Sequence, residues 1–257
     1  MTRLATWNVN SLKIRLPHLL DWLASQQVDI VALQETKLED GHFPRAEIEA
    51  AGYQVACSGQ KTYNGVALLA RSQIRDVACG NPHFPDAQKR LIAGTIGTTR
   101  VICAYFPNGQ EVGSDKYRYK LDWLSALVTW LREELARHDR LALCGDFNIA
   151  PEDRDVHDPE DRAGKILCSD AERAAFRALT DLGFKDAFRL FEQPEKSFSW
   201  WDYRMLGFQK NHGLRIDHIL LSEPLARACA AAGIDRAPRK RERPSDHAPV
   251  WTIWRDE

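Results

Sequence analysis

The chain has 257 residues, 44% of them hydrophobic and 28% charged, with a formal net charge of −1 from 35 basic and 36 acidic side chains. That is ordinary globular usage, enough for one large domain or two small ones. No apolar run reaches the length of a membrane span, "MTRLATWNVN" has no basic-then-apolar leader, and the balanced charge means that any nucleic-acid role must rest on local patches.

Short apolar, β-branched runs bounded by turn residues alternate with helical patterns. "RLATWNV", "VDIVAL", "YQVAC" and "GVALLA" predict the first strands. "LIAGTIGTTRVICAY" predicts a hairpin through Gly97-Thr98-Thr99, and "RLALCG", "RIDHILL" and "VWTIW" predict the later strands. The clearest helix lies between Lys116 and His138, where Tyr117, Leu121, Leu124, Val128, Leu131 and Leu135 make one apolar stripe. A second helix opens on the capping box Ser169-Asp170-Ala171-Glu172 and closes near Gly183. "APEDRDVHDPEDRAGK", residues 150–165, is a polar excursion long enough to rim a site and too short for a domain boundary. The six cysteines are scattered without CxxC spacing, which favours free thiols in a reducing cytoplasm over disulfides or a zinc site. A loose two-half rhythm runs strand–"NVN"–helix–strand–"QET", then strand–"GDFN"–helix–strand–"RID". Two such halves would pack sheet on sheet with helices outside.

Acids and amides recur at the predicted strand ends: Asn8, Glu35, Asp146, Asn148, Asp217, and the pair Asp246-His247 in "RPSDHAPV". Taken singly, each reads as a turn residue, a cap or a solvated charge. Strand ends that converge on one sheet edge, however, collect a site from distant sequence. Carboxylate and carboxamide oxygens suit a hard cation such as Mg²⁺. An imidazole beside carboxylates is raised in pKa and can meet a phosphate as a cation. A metal, a water-activating carboxylate and a cationic imidazole together are the means of phosphodiester hydrolysis.

In this order, "WNVNSLKIR", "LQETK", "YFPNG", "GDFNIAP", "GLRIDHIL" and "SDHAPV" resemble the exonuclease III family of DNA-repair nucleases, from about Leu4 to Trp254. "GDFN" and "SDH" are shared with the phosphatases of the wider endonuclease–exonuclease–phosphatase superfamily, whereas "YFPNG", "FSWWDYR" and "GLRIDHIL" mark the nuclease branch. The resemblance implies an α/β fold, a four-layered sandwich of two packed mixed sheets flanked by helices, in one domain spanning 1–257. It implies Glu35 as principal metal ligand, with Asn8 and Asp246 holding metal or its waters, and Mg²⁺ as the cofactor with Mn²⁺ as a substitute. Asp146 resembles the residue that positions or deprotonates the attacking water, with Asn148 fixing that geometry. His247 resembles the imidazole facing a phosphate oxygen, oriented by Asp217, and Tyr105 and Asn108 resemble contacts to the scissile phosphate. Some relatives carry Asp where this chain has Asn10.

For DNA, Lys61, Tyr63, Asn64 and Arg90 match DNA-facing stretches of that family, and Arg236, Arg239, Lys240, Arg241 and Arg243 are further phosphate-contact candidates. The same resemblance implies that Trp200 with Leu214 and Ile216 lines a small apolar pocket for a deoxyribose lacking its base, bounded by Leu167 of "GKILCS". The expected partner is double-stranded DNA with abasic sites or damaged 3′ ends, and the expected state a cytoplasmic monomer away from membranes. Two other readings stay open at this point: a superfamily phosphatase for a small or lipid phosphate, and a DNA-binding module without catalysis.

Overall fold

Near-continuous apolar runs fold as strands buried on both faces, and in this computed structural model they build two packed sheets; residues 1–256 are described. The first half runs β1 (Thr2–Asn8), α1 (Leu12–Gln26), β2 (Ile30–Gln34), α2 (Arg45–Ala50), β3 (Gln54–Ser58), β4 (Val66–Ala70) and β5 (Ile74–Cys79). The middle runs β6 (Leu91–Ile96), β7 (Thr99–Tyr105), α3 (Asp115–Arg137), β8 (Leu141–Asp146), α4 (Pro159–Arg162) and α5 (Asp170–Asp181). The last part holds β9 (Lys185–Asp186), β10 (Trp200–Trp201), α6 (Gly207–Lys210), β11 (Gly213–Leu214), β12 (Asp217–Leu221), α7 (Glu223–Ala228), β13 (Cys229–Ile234) and β14 (Val250–Trp254).

Among the described residues one sheet has the order β13-β14-β1-β2-β4-β3 and the other β5-β6-β7-β8-β12-β9, with β10 and β11 as a separate ribbon. In each large sheet the central pair is parallel, β1 with β2 and β7 with β8. The flanking pairs are antiparallel. Leu4, Leu68, Val101, Cys144 and Ile219 fill the space between the sheets. Trp123, Leu127 and Phe176 seat α3 and α5 on the outside of one sheet, and Leu19, Trp22 and Ile48 seat α1 and α2 on the other. This is the expected four-layered sandwich.

Three details differ from the sequence reading. A parallel pair needs a crossover helix between its strands, and the long α3 precedes β8. The second parallel unit is therefore β7–α3–β8, and the "RID" strand β12 runs antiparallel to β8. The buried face of α3 is rotated from the leucine stripe: it runs through Tyr117, Lys120, Trp123, Leu124, Leu127, Trp130, Leu131 and Glu134. Lys120 and Glu134 hid it, because charged residues read as solvated. The edge strands β5 and β13 escaped prediction, the latter because "CAAAGI" has too little side-chain bulk to alternate. All six cysteines are free thiols.

Candidate active site

The two parallel units deliver their strand ends to one place. Asn8 and Tyr105 close β1 and β7, Glu35 follows β2, and Asp146 closes β8, with Asp217 opposite it in register on β12. Sharp turns aim the side chains inward: Glu35 and Asn148 both take the left-handed region, at φ +52° and +50°. Gly145, before the acid, has φ +150°, and a Cβ there would lie 1.8 Å from the Ala104 carbonyl oxygen. Glycine alone lets β8 lie that close to β7.

The acids are held crosswise. Asn8 Nδ2 donates to Glu35 Oε1 at 2.8 Å and to Asp146 Oδ2 at 2.9 Å. The Tyr105 hydroxyl donates to Glu35 Oε1 at 2.8 Å. Asp146 Oδ1 accepts from the backbone of Asn148, whose Nδ2 donates to the Phe106 carbonyl and whose Oδ1 accepts from Asn108 Nδ2 at 3.0 Å. His247 presents Nδ1 to Asp217 at 2.9 Å and Nε2 towards Asp146 Oδ2 at 3.7 Å. Ser199 Oγ donates to Asp217 at 2.6 Å and locks that carboxylate from behind.

Charge separates these groups. Burial alone would raise the Glu35 carboxyl, but Lys37 and the Asn8 hydrogen bond hold it below its ordinary value. Burial pushes Asp146 up to about 7 against the pull of His247. Burial would lower His247, yet Asp217 and Asp146 carry it up to about 10, so the imidazole is a cation at neutral pH. Tyr105 is pushed well above 10 by burial and by the Glu35 and Asp146 carboxylates, and it stays a donor.

The donor set fits a hard cation. Ligand atoms of Glu35, Asp146 and His247 lie within 4.8 Å of one another. The two carboxylates are the cation-binding groups, the protonated imidazole is a neighbouring charge, and Asn8 braces both carboxylates through its amide nitrogen. The chain's own cation already sits at the rim: Lys37 Nζ lies 2.9 Å from Glu35 Oε2 and 2.6 Å from Asn10 Oδ1. Asp246 stands outside the inner cluster, its two oxygens accepting from Asn10 Nδ2 and Trp200 Nε1. It reaches Glu35 through the relay Asn10–Lys37. Sequence reasoning missed Lys37, although it lies in the quoted "LQETK".

The DNA candidates fall on two sides. Tyr63, Asn64, Arg90 and Asn108 line one open cleft of about 600 Å³, with Gln88 and Lys116. Arg90 stacks on the Tyr105 ring at 4.9 Å and donates to Gln88. Tyr63 is 68% exposed, whereas Asn64 is buried and donates to Gln60 and Gln88, so it shapes the cleft from within. On the other side Leu214, Ile216 and half-buried Trp200 share an apolar cluster with Val156 and Leu167. The polar excursion behind that cluster is pinned by fully buried Asp155, which accepts from Arg215 and Arg189. The basic run divides. Arg236 and Arg239 stack on Trp201 and Phe208, Arg239 is buried and donates to the Ser245 carbonyl, and Arg241 pairs with Asp21. These three hold the loop itself, and Lys240 and Arg243 are exposed.

The profile of the Endonuclease/Exonuclease/phosphatase family matches residues 5–247, and the chain belongs to that family. Exodeoxyribonuclease III of Haemophilus influenzae is 38% identical, covering 96% of this chain and 97% of that one. An exodeoxyribonuclease of Bacillus subtilis is 32% identical over 98% of each. A solved 3′ phosphatase, NExo, from Neisseria, bound to a product DNA hairpin, superposes with a TM-score of 0.98 at 46% identity over all of both chains. An AP endonuclease from Archaeoglobus fulgidus superposes at 0.95 and 38% identity over 99% of each. Within the family the chain is of the exonuclease III type: a metal-dependent hydrolase and DNA-repair phosphodiesterase with DNA as substrate. Among the described residues no helix is long and apolar enough to cross a membrane.

Proposed function

We propose that this phosphodiesterase uses Mg²⁺, with Mn²⁺ as a substitute, and works as a cytoplasmic monomer chiefly on damaged or blocked 3′ ends of duplex DNA. Hydrolysis of the backbone 5′ to internal abasic sites is its weaker activity. Glu35, with Asn8 and Asp246 nearby, would hold the divalent cation, which when bound would supply charge neutralisation at the phosphate. Asp146 and Asn148 orient a water, and Asp146, whose pKa burial raises to about 7, accepts its proton as the oxygen bonds phosphorus. The P–O bond to the sugar 3′-oxygen breaks, and that oxygen leaves with a proton taken from solvent. The phosphate's negative charge faces the His247 cation, which Asp217 orients. Tyr105 and Asn108 donate towards the phosphate. Tyr63, Asn64 and Arg90 take the neighbouring backbone, and Trp200, Leu214 and Ile216 take the sugar.

One observation carries the preference for ends. Leu167, at φ +72°, is 6% exposed and packed in the same cluster as Leu214 and Ile216, which are 1% and 2% exposed. On this reading its side chain fills the apolar corner that an internal abasic sugar would need, whereas a 3′-phosphate would require less of it. Leu167→Gly relieves the left-handed backbone and opens that corner. The variant should gain roughly tenfold on an internal abasic duplex, the scale of one aliphatic group in a pocket, with 3′-phosphate release nearly unchanged. Equal change on both duplexes overturns the preference.

A further inference from the structure

The buried face of α3 carries a lysine where an apolar residue would serve packing. Lys120 has no exposed surface. Its Nζ donates to the Asn108 carbonyl at 3.1 Å, to the Asn148 carbonyl at 2.7 Å and to Glu172 Oε1. Three donors meet three acceptors, so the ammonium is fully used. Its two carbonyls belong to the "YFPNG" and "GDFN" turns, whose asparagine side chains touch each other over the site. The aliphatic stem is used as well. Gly109, at φ +91°, lies against it, and a Cβ there would come within 3.1 Å of Lys120 Cδ and 2.9 Å of Ile166 Cδ1. Glu172, equally buried, also accepts from the backbone of Leu167 and from the backbone and hydroxyl of Ser169.

Stability alone does not account for this arrangement. A buried ion pair gains little over apolar side chains of the same volume, because both charges must be stripped of water. An uncharged pair of the same volume, with an amide at 172 still accepting from Leu167 and Ser169, would hold α3 to α5 comparably well. What it would lack is a single point bonding two carbonyls from turns forty residues apart in the chain. We propose that Lys120 is a positioning residue for the hydrolysis, fixing the Asn108 and Asn148 turns in one relative geometry, with Glu172 as its counter-ion. It acts through those asparagines and touches no reacting atom.

The proposal rests on the roles assigned to Asn108 and Asn148 and is independent of the preference assigned to Leu167. The test compares Lys120→Met with the double variant Lys120→Met/Glu172→Gln, which removes both charges and keeps their volumes. Melting temperature, kcat and KM are read on a 3′-phosphate duplex and on an internal abasic duplex. The single variant should melt lower, and the double variant should regain most of that loss. Its kcat should nevertheless stay roughly tenfold to a hundredfold down on both duplexes with KM little changed, as misplacement of an orienting group by about 1 Å predicts. Recovery of kcat together with melting temperature would make Lys120 structural and overturn the proposal. So would a loss confined to one duplex, which would assign Lys120 to the sugar corner through Leu167. If the double variant melts below assay temperature, Lys120→Met is assayed in the cold per folded molecule, and a wild-type kcat there overturns the proposal equally. Failure of the Leu167 prediction leaves these outcomes untouched.

Discussion

The units β1–α1–β2 and β7–α3–β8 are built alike and used differently. Each ends its first strand on a polar donor and places an acid at, or one residue past, the end of its second: Asn8 with Glu35, and Tyr105 with Asp146. Across the sandwich the donors are exchanged, Tyr105 bonding Glu35 and Asn8 bonding both acids. Yet Glu35 is held below its ordinary pKa, because Lys37, the Asn8 hydrogen bond and His247 together outweigh burial, while burial raises Asp146 to about 7. Equivalent places in the topology thus yield an acid that stays ionised beside a cation and one that can take a proton. The difference comes from neighbours: Lys37 follows Glu35 by two residues, and deep burial dominates at Asp146. Paired titratable groups pushed apart in this way mark the division of labour in a hydrolytic site.

The largest effect expected tests that division. Asp146→Asn should cost roughly 10²–10⁴-fold in kcat, the scale of losing a general base, and added Mg²⁺ should not restore it. Glu35→Gln should instead raise the Mg²⁺ concentration for half-maximal rate, and EDTA should silence the wild type. Duplex binding, mainly phosphate electrostatics, should survive in both variants. If both lose kcat alike with unchanged Mg²⁺ dependence, the two acids are not doing different jobs.

Next in size is the pair behind Asp146. Asp217 orients His247 and keeps it charged, so Asp217→Asn and His247→Ala should each cost on the order of a hundredfold, at the low end for a positioned catalytic group. Combined, they should cost scarcely more than the worse single change. Additive losses in kcat would show two independent contributions and detach Asp217 from the imidazole.

How far the sequence reveals this comparison differs between its parts. The strand ends were legible because Asn8, Glu35 and Asp146 each follow an apolar run, and Asp217 stands out as the acid that opens the apolar β12. The hairpin through Gly97 and the capping box at Ser169 were legible for the same local reason, and the box is formed as expected. What stayed hidden are buried charges whose partners lie far along the chain. Lys120 meets Glu172, and Asp155 meets Arg215, across loops that no local pattern links. Arg239 looked like a phosphate contact because it sits in a basic run, and its ring contacts depend on how residues 201–208 fold back.

The smallest expected effect sharpens the comparison at the helices. Each unit's helix sends one buried cation back to its own turns. In α3 it is Lys120; in α1 it is Arg15, which donates to the Asn10 carbonyl at 2.7 Å and to the Pro244 carbonyl at 2.8 Å, just ahead of Asp246 and His247. The two differ in what their loss leaves behind. Removing Lys120 strands a fully buried carboxylate, a change worth about 3–5 kcal/mol. Arg15 bonds two carbonyls and the Tyr203 hydroxyl, and its Nε has no hydrogen-bond partner among the described residues. Arg15→Met therefore strands no charge and should cost about 1–3 kcal/mol, the range for buried polar groups left unpaired. In a chain of this size that lowers the melting temperature by roughly 2–4 °C per kcal/mol. Calorimetry on the two single variants should rank Lys120→Met below Arg15→Met. The fall in kcat should also be smaller for Arg15→Met, because Asn10 reaches the site through Lys37 and Asp246, whereas Asn148 is itself assigned to the water. A reversed order in both measurements would place the functional brace in α1.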